Sequence, residues 1–200
     1  MQNPIKYFNF IVLSAYILTV IVPPNGFNTF EGNKDKYVTP NRIRFVIAMG
    51  CLFPFLMLLS FYVDKKNPFF NETSMNGDMD IINYLGMSIC IVGVTLRRIA
   101  FRILDKFFTY NVTIQKDHKL LKDGPYRYIR HPSYTGMALA YLGYMMFLKC
   151  NLIGLLIFAF PMLLFLVLRI RNEEEELTNH FKNDYLQYKK ETWALIPFIY

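Results

Sequence analysis

Five long stretches nearly free of charge constrain this chain more than any other feature: residues 5–22, 45–63, 81–96, 132–148 and 152–168. Lys6 is the one charge inside them. A membrane-spanning helix needs about 20 apolar residues, with roughly 17 as the lower limit. The second stretch meets this easily. The first, fourth and fifth sit near the limit, and the third needs its flanks. Soluble proteins bury single helices of this length, but five in 200 residues leave too little polar surface to cover them. The charged fraction of 18%, against about 25% in soluble domains, agrees. The sequence therefore predicts an all-α integral membrane protein with about five transmembrane helices.

Lys6 ahead of an apolar run is also a feature of secretory signals, but Val22-Pro23-Pro24 offers no small-residue cleavage site. The first stretch is read as a retained helix stopped by the proline pair. Cys51, Cys90 and Cys150 lie in or beside apolar runs without metal-ligand spacing, so they are read as packing residues.

The net charge of +7 does not point to nucleic acid, because its distribution follows the stretches. Residues 23–44, 97–131 and 169–200 hold eighteen of the 22 lysines and arginines; the alternate segments hold Lys6, Lys65, Lys66 and Lys149. The positive-inside rule then places the N-terminus in the lumen and the central loop and tail in the cytosol. The plain alternative for the basic loop, contact with anionic lipid, is compatible with this. The sequons Asn71-Glu-Thr73 and Asn111-Val-Thr113 test the orientation, since only the first would be lumenal.

The chain reads as one membrane domain over 1–200. Residues 1–96 hold three helices, 97–131 a cytosolic cofactor-binding loop, 132–168 a tight helical hairpin, and 169–200 a cytosolic helix and tail. With only Lys149-Cys150-Asn151 between the last two stretches, the hairpin must be antiparallel, bringing His131 and Tyr134 alongside Arg171 and Glu175. Gly136, Ala140 and Gly143 recur at helical spacing, which permits a close helix contact. Residues 169–191 read as a helix with an apolar-aromatic stripe of Leu177, Phe181, Tyr185 and Tyr188.

Two polar clusters flank the hairpin. In Gly124-Pro-Tyr-Arg-Tyr-Ile-Arg-His-Pro-Ser-Tyr-Thr-Gly136, the residues Tyr126, Arg130, His131 and Tyr134 crowd against a membrane entry. A lone histidine there would merely cap a helix; the concentration favours a binding role. In Arg169-Ile-Arg-Asn-Glu-Glu-Glu-Glu176, both Arg169/Glu173 and Arg171/Glu175 have i,i+4 spacing. Simple ion pairing is the better reading for Arg169/Glu173. For Arg171/Glu175 a ligand role is favoured, since an arginine can grip a carboxylate or phosphate through two parallel hydrogen bonds. No G-x-G-x-x-G, P-loop or H-E-x-x-H occurs, and His118, His131 and His180 are too scattered to argue for a metal.

On these residues the chain resembles the isoprenylcysteine carboxyl methyltransferase family. The matching run is Leu96-Arg-Arg-Ile-Ala100, His118-Lys-Leu-Leu121, Gly124-Pro-Tyr126, Arg130-His-Pro-Ser-Tyr-Thr-Gly136, Arg169 through Leu177, Phe181, Tyr185-x-x-Tyr188 and Ile196-Pro-Phe-Ile199. The resemblance implies an enzyme of the endoplasmic reticulum membrane that uses S-adenosylmethionine to methylate the carboxylate of prenylated cysteine in CaaX-processed proteins. It implies cofactor contacts from His118, Lys119, Leu120, Leu121, Tyr126, His131, Pro132, Ser133, Tyr134 and Glu175. Arg171 falls on the position that binds the substrate carboxylate. Leu121 replaces a frequent valine, and an upstream glutamine contact has no secure counterpart near Thr113 and Gln115. The alternatives are a phospholipid N-methyltransferase acting on phosphatidylethanolamine and a non-catalytic membrane scaffold.

Overall fold

The computed structural model describes residues 79–104 and 120–197, and every regular element within them is helical. The stretches expected to span at 5–22 and 45–63, with both sequons, lie outside the described residues. The helices are α1 (Ile81–Leu104), α2 (Pro132–Phe147), α3 (Leu152–Phe181) and α4 (Asn183–Glu191), with a short 3-10 turn at Gly124–Arg127.

Helix α1 continues well past the apolar stretch that announced it, carrying Arg97, Arg98 and Arg102 on its last turns. It packs along α2 through small residues. Gly86, Cys90 and Gly93 face Gly136, Ala140 and Gly143. A Cβ at Gly136 would lie 2.6 Å from the Gly93 carbonyl oxygen, and one at Gly143 would lie 2.5 Å from the Cys90 nitrogen. Side chains at these positions would push the backbones apart, which is why small residues occur on both helices. The distal end is fastened by Asn83, whose Nδ2 donates to the Phe147 carbonyl at 2.6 Å. Beside it, Lys149 Nζ pairs with Asp80 at 2.7 Å.

The turn at 148–151 reverses the chain. Lys149 adopts φ +51, and the Asn151 side chain caps α3 by accepting from the Gly154 nitrogen at 2.9 Å. Cys90, Tyr141, Met145, Phe147 and Ala159 form the core beneath this turn. The two helices meet again at Tyr134 and Arg169, where Arg169 Nε donates to the Tyr134 hydroxyl.

Helix α3 runs unbroken through Pro161 and on past the apolar stretch to Phe181. It is the one helix among the described residues long and apolar enough to cross a bilayer. The single helix expected over 169–191 is interrupted at Lys182, whose φ of +48 ends α3 and starts α4 in a new direction. That break turns the aromatic end of the stripe, Tyr185 and Tyr188, into the core under the loop.

Candidate active site

The loop ahead of α2 is shaped by Gly124, which takes φ +58; a Cβ there would lie 2.6 Å from the Ile103 side chain of α1. The turn that follows buries Tyr126. Its hydroxyl donates to the Ala100 carbonyl, and its own carbonyl accepts from the Tyr188 hydroxyl. The chain then runs extended beside the tail. The Arg130 and His131 nitrogens donate to the carbonyls of Trp193 and Ala194 at 2.8 and 3.1 Å, and the Trp193 nitrogen donates to the Tyr128 carbonyl at 3.1 Å. Thr135 Oγ1 adds a bond to the Leu195 carbonyl at 2.8 Å. Residues 192–195 thus form a strap across the entry of α2.

Two adjoining polar groups join the loop and the start of α2 to α3. In the first, Glu174 of α3 collects three basic side chains: Arg130 Nε at 2.7 Å, His131 Nε2 at 3.4 Å and Lys189 Nζ at 2.7 Å. Arg130 also donates to the carbonyls of Lys189 and Thr192, the negative end of α4. Burial pushes the Glu174 carboxyl upward, but hydrogen bonds from His131, Lys189 and Arg130 outweigh it and hold the group well below the ordinary carboxylate range. In the second, the Tyr134 hydroxyl donates to Glu173 Oε2 at 2.7 Å and accepts from Arg169 Nε at 3.1 Å. The rings of His131 and Tyr134 stack with centroids 5.7 Å apart, joining the two groups. From α1, Arg97 reaches the Ser133 carbonyl and hydroxyl, each at 3.1 Å, with its guanidinium over the Phe101 ring.

Tyr126, His131, Pro132, Ser133 and Tyr134 lie in the loop and the first turn of α2. Leu120 and Leu121 are half-buried where the described chain resumes; His118, Lys119, Thr113 and Gln115 lie outside the described residues. The juxtaposition on α3 needs correction. Arg171 and Glu175 are exposed, and the face meeting His131 and Tyr134 carries Arg169, Glu173 and Glu174. Helical phase explains it. Leu166 and Ile170 are buried, and at about 100° per residue Glu173 and Glu174 fall on their side, while Arg171 and Glu175 are turned by a quarter circle or more. Carrying the stripe of Leu177 and Phe181 back through Ile170 to Leu166 was the signal that picks the inner glutamates. Lys189 and Thr135 belong to no spacing pattern that would mark them in the sequence.

Residues 85–179 match the model of the isoprenylcysteine carboxyl methyltransferase family. The match covers just under half of the chain. The protein-S-isoprenylcysteine O-methyltransferase of Saccharomyces cerevisiae is 34% identical over 64% of this chain and 58% of its own. Form B of that enzyme from Arabidopsis thaliana is 32% identical over 59% of this chain and 60% of its own. The Xenopus laevis enzyme aligns over 99% of this chain and 66% of its own at 28% identity. The chain thus spans about three-fifths of the length of these curated relatives. The fold matches that of a solved eukaryotic intramembrane Ras methyltransferase, also of this family, with a TM-score of 0.66 and 23% identity, over 95% of this chain and 63% of that one.

Proposed function

We propose that this chain is an S-adenosylmethionine-dependent methyltransferase that esterifies the C-terminal carboxylate of prenylated cysteine in CaaX-processed proteins. The observation that supports it most is the Tyr134 hydroxyl linking Arg169 to Glu173 beside the basic groups on Glu174, inside the region that matches the family. The donor set suits an adenosyl cofactor. The half-buried carboxylate of Glu173 accepts from Tyr134 through Oε2, which leaves Oε1 as an acceptor for a polar ligand.

S-adenosylmethionine, when bound, supplies a methyl group activated by its sulfonium charge. A substrate carboxylate is ionised near neutral pH, so the protein needs no general base. Its task is placement of nucleophile against methyl group, a proximity effect. An arginine on α3 holds the carboxylate through paired hydrogen bonds. Arg169 stands in the cluster for that role. Arg171, expected from the resemblance to do so, faces outward and would meet only a ligand approaching from the exposed side of the helix, as would Glu175. The loop residues Tyr126, His131, Pro132, Ser133 and Tyr134, with His118–Leu121 ahead of them, form the cofactor side. Exposed apolar residues such as Ile91, Val92, Phe160 and Leu164 give the prenyl chain and the bilayer an apolar flank. On this reading the protein is a multi-pass component of the endoplasmic reticulum membrane, with loop and tail cytosolic.

The test is methyl transfer from labelled S-adenosylmethionine in membranes carrying the chain, offered N-acetyl-S-farnesylcysteine or phosphatidylethanolamine. Base-labile label on the farnesylcysteine is the expected result. Label confined to phospholipid would replace this reading with amine methylation.

A further inference from the structure

The face of α1 turned away from α2 is exposed along the whole helix. Ile81, Tyr84, Ser88, Ile91, Arg98 and Arg102 stand on it, spaced by three, four, three, seven and four residues. Its character changes along its length. Up to Ile91 it is mainly apolar, with Leu85 and Val92 exposed beside it. Ser88, within that stretch, donates to the Tyr84 carbonyl at 2.8 Å in its own helix. A hydroxyl satisfied this way suits a surface against hydrocarbon, where no water is at hand to bond it.

From Arg98 onward the same face is basic. Arg98 and Arg102 lie one turn apart, both exposed, and make no hydrogen bond or ion pair among the described residues. Other basic groups in the fold are engaged: Arg97 on Ser133, and Arg130 and Lys189 on Glu174. Between Ile81 and Leu104 the helix contains no acidic residue. Like charges at this spacing repel, so the pair is most stable with an anion between the two guanidinium groups.

We propose that Arg98 and Arg102 form a headgroup site for an acidic phospholipid. The phosphate lies between the two guanidinium groups and the acyl chains run along Ile91, Val92 and Leu85. A lipid fits better than a soluble phosphate because the basic end continues an apolar face, and one molecule with an anionic head and apolar tails matches both. Arg98 is turned by about 100° from Arg97, which reaches α2. The site therefore lies apart from the groups proposed for methyl transfer and stands whether or not they carry it out.

The experiment reconstitutes the full chain in liposomes and measures, by electron spin resonance, how strongly spin-labelled phosphatidylserine is held at the protein relative to spin-labelled phosphatidylcholine. Wild type is compared with Arg98→Gln/Arg102→Gln and with Arg127→Gln/Lys190→Gln, which removes as many exposed charges from the loop and α4. Wild type should prefer phosphatidylserine. The preference should fall about fivefold or more in Arg98→Gln/Arg102→Gln, as each basic residue near an anionic surface is worth a factor of about five. The other double variant should keep most of it. Equal losses in the two would mean general charge attraction and overturn the site. Thermal melts in nanodiscs give the second readout. Phosphatidylserine should raise the wild-type melt above that in phosphatidylcholine and leave the Arg98→Gln/Arg102→Gln melt unmoved. The same rise on adding inorganic phosphate to phosphatidylcholine discs would overturn the lipid as occupant. A melt of Arg98→Gln/Arg102→Gln lowered in phosphatidylcholine too would mean that the pair is matched within the chain, as by Asp105 just beyond α1, and would also overturn it.

Discussion

Glu174 is the residue on which the loop, α3 and α4 converge, and its chemistry sets a pH signature. Its carboxyl is held below the ordinary range, so the folded state favours the charged form. The sign follows: its contribution to stability is full above the unfolded value of about 4.3 and is lost as pH falls through the lower folded value. Melts of the solubilised protein should therefore show no loss from this group between pH 8 and 5, and a progressive loss in more acid solution. Glu174→Gln should flatten that acid limb and lower stability at pH 7 by roughly 2 kcal/mol, as expected for hydrogen bonds to a charged group. Tyr134→Phe removes the link between Arg169 and Glu173, and should lower catalytic efficiency about tenfold while moving the melt little. At this scale the loop was legible, because Tyr126, Arg130, His131 and Tyr134 are packed into nine residues. The inner glutamates were not. Four consecutive glutamates offer two arginine pairs of identical spacing, and only the burial of Leu166 and Ile170 decides which pair faces the loop.

Among the elements, the α1–α2 contact has the least room for change. Gly136 and Gly143 could be recognised from their spacing, but their partners Gly86 and Gly93 could be matched to them only in three dimensions. Gly143→Leu should force the helices apart and destabilise the protein by at least about 2 kcal/mol, whereas Leu142→Ala on the exposed side should cost less than about 0.5 kcal/mol; thermal melts compare the two. The junction of α3 and α4 answers to different physics. Lys182 holds φ +48 in a non-glycine residue, so Lys182→Gly should raise stability by about 1 kcal/mol in the same assay. No glycine or proline marks that break in the sequence, which is why 169–191 reads as one helix. The hairpin, by contrast, was fixed by the few polar residues between two apolar runs.

For the molecule as a whole, the strap closes the fold by bringing residues 192–195 onto the loop more than sixty positions earlier in the chain. Nothing in the local pattern of the tail foretold this pairing, since it uses backbone groups that every residue carries. The consequence is that the loop, the entry of α2 and the tail are held together, and Arg130, which bonds both Glu174 and the Thr192 carbonyl, ties α3 to them. The central claim is that the arginine inside the cluster on α3, Arg169, serves the reaction. The measurement that tests it most directly is methyl transfer to N-acetyl-S-farnesylcysteine by Arg169→Ala and Arg171→Ala proteins expressed to equal levels. The account predicts a loss of at least about a hundredfold in Arg169→Ala, as for removal of a charged transition-state contact, and activity within a few fold of wild type in Arg171→Ala. The reverse order, with Arg171→Ala inactive and Arg169→Ala active, would place the reaction on the exposed face of α3 and contradict the account.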